Sequence, residues 1–215
     1  MKVHYQDVDM SALPGYVQEI IDEILKREGG KFTNHPDDWP TKWGIRKLSA
    51  DRASYEGPIE LLTRDNAARI WTSLFWYGPN LHMIGGVSRL IAETVMDTGG
   101  PAGIRVGVRH LQRALTSFNM IKGGHRIYGP DLAFDGLIGE KSIKQLDAYL
   151  AHRGAHDGEN ILAARLNCLQ DAHYVDVALA KPEKRSFSFG WSSKRVFADL
   201  MEIANESDRF FAVAA

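Results

Sequence analysis

Apolar side chains recur at helical spacing along most of this chain. Between Pro14 and Glu28 they occupy positions 17, 20, 21, 24 and 25, while charged side chains fall on the other faces. This is the pattern of a helix with one buried face. Similar patterns cover residues 63–77, 87–98, 103–118, 140–152 and 161–180, with a last helix ending near residue 208. The pattern predicts a mainly α protein with two lobes and at most one small β-hairpin, near residues 32–46.

Glu28 stands at the end of the first predicted helix. It lies four residues after Ile24 and so continues the apolar stripe, and Gly29-Gly30 then stops the helix. Burial and the negative end of the helix dipole both favour a protonated carboxyl, which is what a general acid near neutral pH needs. The alternative is a helix-ending glutamate that points to water.

The loop after Glu28 carries further polar groups. Glycoside cleavage usually needs one protonated carboxyl and a second polar group that handles water or the cation-like sugar. Asp37, Asp38 and Thr41 can face Glu28 if the chain doubles back as a short hairpin. Aspartates are also common in turns, so a purely structural role for this pair stays open.

These residues resemble the signature of a known family. Glu28-Gly29-Gly30, then Asn34-His35-Pro36, Asp38 and Pro40-Thr41-Lys42-Trp43-Gly44-Ile45 resemble the pattern of glycoside hydrolase family 108. That family consists of N-acetylmuramidases, many of them phage endolysins. The resemblance implies a lysozyme-like fold with a hairpin next to the catalytic helix, Glu28 as catalytic glutamate, Asp38 and Thr41 as its helpers, and Asn34 and Trp43 as glycan contacts. The chain departs from the pattern in lacking Gly-Gly before the threonine and in placing Lys31 where an aromatic is usual.

Aromatic residues at the end of the helix over 63–77 have two interpretations. Trp71 and Phe75 fall at helical spacing, and we expect them in the core. For Trp76 and Tyr77, core packing and stacking on a sugar ring both stay open. Trp76 and Tyr77 are therefore both candidate substrate-binding residues.

Asp97 is a candidate on the helix over 87–98, which Gly99-Gly100-Pro101 is expected to stop. This helix resembles the family motif Asp-x-x-Val-Asn-x-Gly, with Glu93 in place of the aspartate and Asp97 in place of the asparagine. Asp97 is therefore either a second acidic group of the cleft or a helix-end aspartate that bonds nearby backbone.

The second half resembles the predicted peptidoglycan-binding lobe found with this family. The resemblance rests on residues 111–115, Leu-Gln-Arg-Ala-Leu, followed by Asp135-Gly136-x-Ile138-Gly139. We expect Asp135 to shape the turn, and residues 121–134 to form a long linker that can act as a flap. The predicted organisation is a catalytic lobe over 1–90 and a helical lobe over 91–215, packed as one unit.

Composition narrows the remaining choices. The chain has 215 residues and a net charge of −1, which does not indicate a nucleic-acid binder. Its one cysteine, Cys168, lies in an apolar pattern and is expected to be a small buried side chain. His152 and His156 lie four apart, but glycines interrupt the helix, so we expect no metal and no cofactor. We expect no signal peptide in the first ten residues and no stretch that inserts into a membrane. We expect a monomer that waits in the host cytoplasm until the membrane is permeabilised.

The expected function is hydrolysis of the β-1,4 bond between N-acetylmuramic acid and N-acetylglucosamine in bacterial peptidoglycan, leading to host lysis. One alternative is a lytic transglycosylase, in which Glu28 is both acid and base and no water enters. Another is a non-catalytic peptidoglycan-binding or secretion-accessory protein.

Overall fold

Helices carry most of the chain in the computed structural model, which describes residues 3–34, 40–84, 87–103 and 105–197. The prediction of a mainly α fold with a small hairpin beside the first helix is confirmed. The helices are α1 (Gly15–Glu28), α2 (Lys47–Arg52), α3 (Arg64–Trp71), α4 (Arg89–Ala102), α5 (Val106–Phe118), α6 (Glu140–Arg153), α7 (Ala155–Ala180) and α8 (Arg185–Trp191). Two antiparallel hairpins pair β1 (Thr41–Lys42) with β2 (Ile45–Arg46) and β3 (Ile121–Lys122) with β4 (His125–Arg126).

The first helices form as the apolar pattern predicts. In α1, Val17, Ile21 and Leu25 are fully buried, and the helix packs against α3. Thr63 caps α3 as predicted, because its hydroxyl accepts a hydrogen bond from the Asn66 N–H at 3.2 Å. A π-helical turn, Thr72–Tyr77, then extends α3.

One hydrophobic core runs through both halves of the chain. It joins Trp71 from the first half to Leu111, Leu146 and Leu162 from the second. Helix α4 connects the halves, since it packs against α1 on one side and against α5 and α7 on the other. Any cleft beside α1 is therefore framed by both halves.

The predicted end of α4 at Gly99 is wrong. The helix continues through Gly99-Gly100-Pro101 to Ala102 and ends at Gly103, which has φ +120°. Helix α5 packs very closely on α4: a Cβ on Gly107 would lie only 2.2 Å from the Val95 carbonyl oxygen. Tertiary packing of this kind can outweigh the local tendency of glycine and proline to end a helix.

The expectation of at most one hairpin is also wrong, because the predicted linker over 121–134 begins with β3 and β4. Gly123 and Gly124 join these strands with φ values of +59° and +81°, as a two-residue type I′ turn requires. Asn119 holds the base of the hairpin: its Oδ1 accepts the Tyr128 N–H at 3.0 Å and its Nδ2 donates to the Gly129 carbonyl at 2.8 Å. The Gly-Gly pair was a turn signal that the sequence analysis did not use.

Two predictions about α7 need correction. Cys168 is exposed, because the buried face of α7 carries Leu166, Gln170 and Tyr174 at a spacing of four, and position 168 faces the other way. Only Gly154 separates α6 from α7; Gly158 lies inside α7, where its carbonyl accepts a hydrogen bond from the Tyr149 hydroxyl at 3.1 Å.

Candidate active site

The C-terminal end of α1 presents Glu28. Ile24 and Leu25 are buried in the turn before it, whereas Glu28 itself is partly exposed. Gly29 follows with φ +66°, and its N–H donates to the Leu25 carbonyl at 3.0 Å. Because glycine adopts positive φ without a steric penalty, the chain leaves the helix at this point. The predicted glycine stop is confirmed, and the Glu28 carboxyl lies where α1 ends.

The tip of the first hairpin lies directly against Glu28. Trp43 and Gly44 form its two-residue turn with φ values of +54° and +70°. A Cβ on Gly44 would lie 2.7 Å from Cγ of Glu28 and 2.9 Å from its Cδ. Glycine is thus needed at position 44 twice, once for the backbone conformation and once because the side chain of Glu28 occupies the space. This contact fixes the carboxyl against the hairpin.

Trp43 fixes the hairpin in turn. Its Nε1–H donates to the Leu62 carbonyl at 3.2 Å, and its own carbonyl accepts the Trp71 Nε1–H at 3.0 Å. Its ring covers Gly30 so closely that a Cβ there would lie 2.5 Å from Cζ2. Trp43 is partly exposed, so it can contact a ligand while bracing the turn.

Thr41 begins the same hairpin, and Asn34 follows the residue that pairs with it. The backbone of Thr41 pairs with that of Thr33 through two hydrogen bonds of 2.9 Å. Asn34 is exposed and, with the partly exposed aromatic ring of Phe32, lines a cavity of about 440 Å³. The third predicted catalytic residue, Asp38, lies outside the described residues.

Asp97 lies on α4 and forms an ion pair with Arg27, the residue before Glu28. The side chain of Asp97 is mostly buried and that of Arg27 is partly exposed. The candidate carboxylate is thus next to the end of α1, as a cleft residue would be. Its charge is balanced there by a neighbour on α1 that is 70 positions away in the sequence.

A groove of about 400 Å³ runs between α1, α4 and α7 beside this ion pair. Glu93 lines it one turn before Asp97, and desolvation raises the pKa of Glu93 above its usual value. The nearby charge of Glu23 adds to that increase. Glu93 was not among the candidate site residues. The spacing of four between Glu93 and Asp97 was the signal that placed both on one face of the helix.

The four aromatic residues at the end of α3 differ in their exposure to solvent. Trp71 and Phe75 are in the core, as predicted. Trp76 is only 2% exposed and packs edge-on against Tyr16. Burial therefore leaves no ring face of Trp76 open to a sugar. Tyr77 is partly exposed and lies near His82.

The described residues hold neither a cluster of metal ligands nor a membrane-spanning helix. Across the described ranges, no group of three or more His, Cys, Asp or Glu side chains is arranged to hold a metal ion. Nδ1 of His152, one of the two histidines considered, lies 2.8 Å from the Tyr128 hydroxyl. None of the described helices combines the length and the apolar character needed to cross a bilayer.

The motif Asp135-Gly136-x-Ile138-Gly139 forms a fixed turn against α5. The side-chain amide Nε2 of Gln112 donates to Oδ1 of Asp135 at 2.8 Å, and its Oε1 accepts the Gly136 N–H at 3.0 Å. The hydrogen bond from Gln112 and a second one from the Leu137 N–H, at 2.9 Å, hold the pKa of Asp135 below its usual value. Asp135 shapes the turn, as the sequence analysis expected.

Two stretches of the chain match models of known families. Residues 21–103 match the family model described as Glycosyl hydrolase 108, and residues 106–196 match the model described as Predicted Peptidoglycan domain. The resemblance inferred from the sequence is therefore confirmed. Together the two matches support a glycoside hydrolase with peptidoglycan as its partner. A search of curated proteins finds no match.

Proposed function

We propose that this chain, which carries a glycosyl hydrolase 108 segment and a predicted peptidoglycan domain, hydrolyses the β-1,4 bond between N-acetylmuramic acid and N-acetylglucosamine. The observation that carries the proposal is the contact between Glu28 and Gly44. It holds a partly exposed carboxyl at a helix end against a rigid turn, so its position is set before substrate binds. Glu28 would donate its proton to the leaving glycosidic oxygen.

A second group must handle water or the positive charge that develops on the sugar. We assign this role to Asp38 or Thr41, which belong to the same loop and hairpin. Asn34, Trp43 and Tyr77 are all at least partly exposed, and we propose them as glycan contacts. Asp97 would act through Arg27, whose guanidinium it holds at the end of α1.

The test is digestion of purified peptidoglycan by the wild type and Glu28→Gln. We expect the wild type to release fragments that end in reducing N-acetylmuramic acid. A general acid contributes roughly 10²–10⁴-fold to the rate, so the variant should lose at least about 100-fold. Glu56→Gln is the matched control, since Glu56 is an exposed glutamate away from the hairpin tip and should keep full activity.

The same digestion separates the alternatives. Fragments with anhydro ends would show that the protein is a lytic transglycosylase and not a hydrolase. Fragments released by Glu28→Gln at the wild-type rate would remove Glu28 from the mechanism. Wall binding without fragments from either protein would favour the non-catalytic binding protein.

We also propose that the activity serves lysis of a bacterial host, on the basis of the resemblance to phage endolysins. Expression in a bacterial host should leave cells intact until a membrane-permeabilising agent is added, and the culture should then clear. Clearing by the Glu28→Gln variant at the same rate would contradict this role.

A further inference from the structure

A second cavity lies where the two matched segments meet. It has a volume of about 610 Å³. Arg52 at the end of α2 contributes to it from the hydrolase segment, and Arg105, the N-cap of α5, and Arg109 in its first turn contribute from the other side. Leu74, Val106 and Leu137 add apolar surface. Among the described residues that line this cavity, none is acidic.

The three arginines of this cavity, here called the arginine pocket, have no salt bridge or hydrogen bond from their guanidinium groups to any part of the chain that the structure describes. Asp135 is one acidic residue near this group: hydrogen bonds from Gln112 and Leu137 lower its pKa most, and the charge of Arg105 adds to that decrease. Its Oδ1 already accepts hydrogen bonds from Gln112 and from the Leu137 N–H. Three guanidinium groups around one cavity therefore keep their hydrogen-bond donors available for a ligand.

The walls of the arginine pocket are held in place. A Cβ on Gly136 would lie 2.6 Å from Cβ of Arg105, so the Asp135-Gly136 turn presses against the start of α5. Across the cavity, the Ile138 N–H donates to the Pro79 carbonyl at 2.9 Å, and Nδ2 of Asn80 donates to the Ile138 carbonyl at 3.0 Å. Arg105 and Arg109 are four residues apart, so both project from one face of the helix. The positive end of the α5 dipole adds to their field.

We infer that the arginine pocket binds carboxylates of the peptide stems of peptidoglycan. This inference rests on the proposed function, because it takes peptidoglycan as the substrate. A guanidinium group matches a carboxylate with two parallel hydrogen bonds. The apolar surface of Leu74, Val106 and Leu137 suits the methyl groups of alanine residues. A neutral sugar would leave the three charges unused, and no aromatic ring lines the described cavity for it to stack on. The arginine pocket thus binds the peptide, while Glu28 at the end of α1 acts on the glycan.

The experiment titrates the full-length protein with a soluble stem tetrapeptide that contains no glycosidic bond. The double variant Arg105→Gln/Arg109→Gln should bind this peptide at least about tenfold more weakly, because charge-assisted hydrogen bonds are lost. Arg113→Gln is the matched control: Arg113 is exposed on the same helix one turn later and does not line the pocket. The same peptide with amidated carboxyl groups should bind the wild type as weakly as the free peptide binds the double variant.

Three results would overturn the inference. They are equal affinity of the double variant and the wild type, equal affinity for the free and the amidated peptide, and displacement of the peptide by an equal concentration of inorganic phosphate. The last result would show a general anion pocket. Thermal unfolding of each variant shows whether it is folded, and the single variant Arg52→Gln provides a second reading on another helix. Because the peptide has no glycosidic bond, this test does not depend on Glu28. Its failure leaves the Glu28 assignment intact, and failure of the Glu28→Gln digestion leaves a measured peptide affinity intact.

Discussion

The two hairpins share a local design and differ in what they touch. Each joins two-residue strands through a turn with two positive φ values, Trp43-Gly44 in the first and Gly123-Gly124 in the second. A Cβ on Gly44 would collide with Glu28, whereas a Cβ on Gly123 or Gly124 would meet nothing within 4 Å. All four strand residues of the second hairpin are exposed. The same turn is thus part of the candidate active site in one place and a free surface loop in the other, and packing makes the difference.

Among changes to the two hairpins and their supports, the largest expected effect comes from Gly44→Ala. The new methyl group needs the space that Glu28 occupies, and alanine at positive φ costs roughly 1–2 kcal/mol. Displacing a catalytic group by about 1 Å can cost roughly 100-fold in rate. We expect a loss of this order in peptidoglycan clearing, together with a lower melting temperature.

The matched control for that change is Gly123→Ala in the second hairpin. It carries the same backbone penalty but meets no neighbour, so it should lower the melting temperature slightly and leave clearing activity unchanged. Equal activity losses in the two variants would remove the distinction between the hairpins.

A smaller effect is expected from Gly30→Ala. This change disturbs the packing of Trp43, which holds the first hairpin, without straining the backbone. The added Cβ would lie 2.5 Å from the Trp43 ring, so the ring must move and its hydrogen bond to Leu62 must weaken. One such bond is worth roughly 1 kcal/mol, and we expect a loss of activity of about fivefold to tenfold. Gly15→Ala, at the start of α1, where a Cβ meets nothing within 4 Å, should change neither activity nor stability by a comparable amount.

The smallest effect is expected at Glu93 on α4, which lines the groove beside α1. It is measured as the pH dependence of the free energy of unfolding. Burial raises the pKa of Glu93 above 4.5 in the folded protein, so ionisation of this group opposes folding. Its contribution to stability is fully present at pH values below its ordinary pKa and is lost as the pH rises through the raised value. Glu93→Gln should therefore gain stability over the wild type between acid and neutral pH, measured by urea unfolding.

The control for Glu93→Gln is Glu56→Gln, which replaces an exposed glutamate and should follow the wild-type curve. A Glu93→Gln curve parallel to the wild type at all pH values would show that Glu93 is not the titrating group. Clearing activity should persist in this variant, because the hairpin contact of Glu28 is untouched.

Much of the fold could be predicted from local patterns. The bounds of α1 follow from its apolar stripe and Gly29, and the start of α3 follows from Thr63 as its cap. The prediction failed at Gly99-Gly100-Pro101, where the close approach of α5 keeps α4 helical. It also failed at Cys168, because an apolar neighbourhood in the sequence does not tell which face of α7 is covered.

The sequence by itself determined that Glu28 ends a helix, that glycines follow it, and that Thr41 to Ile45 can turn back as a hairpin. These features depend on backbone preferences and helical period, which are local. Only the tertiary structure decided that Gly44 packs against the side chain of Glu28, that Arg27 forms an ion pair with Asp97, and that three arginines line one cavity. Glu28 and Gly44 are 16 positions apart, and Arg27 and Asp97 are 70 apart. Such contacts arise when buried faces pack together, and no local preference encodes which pair will meet.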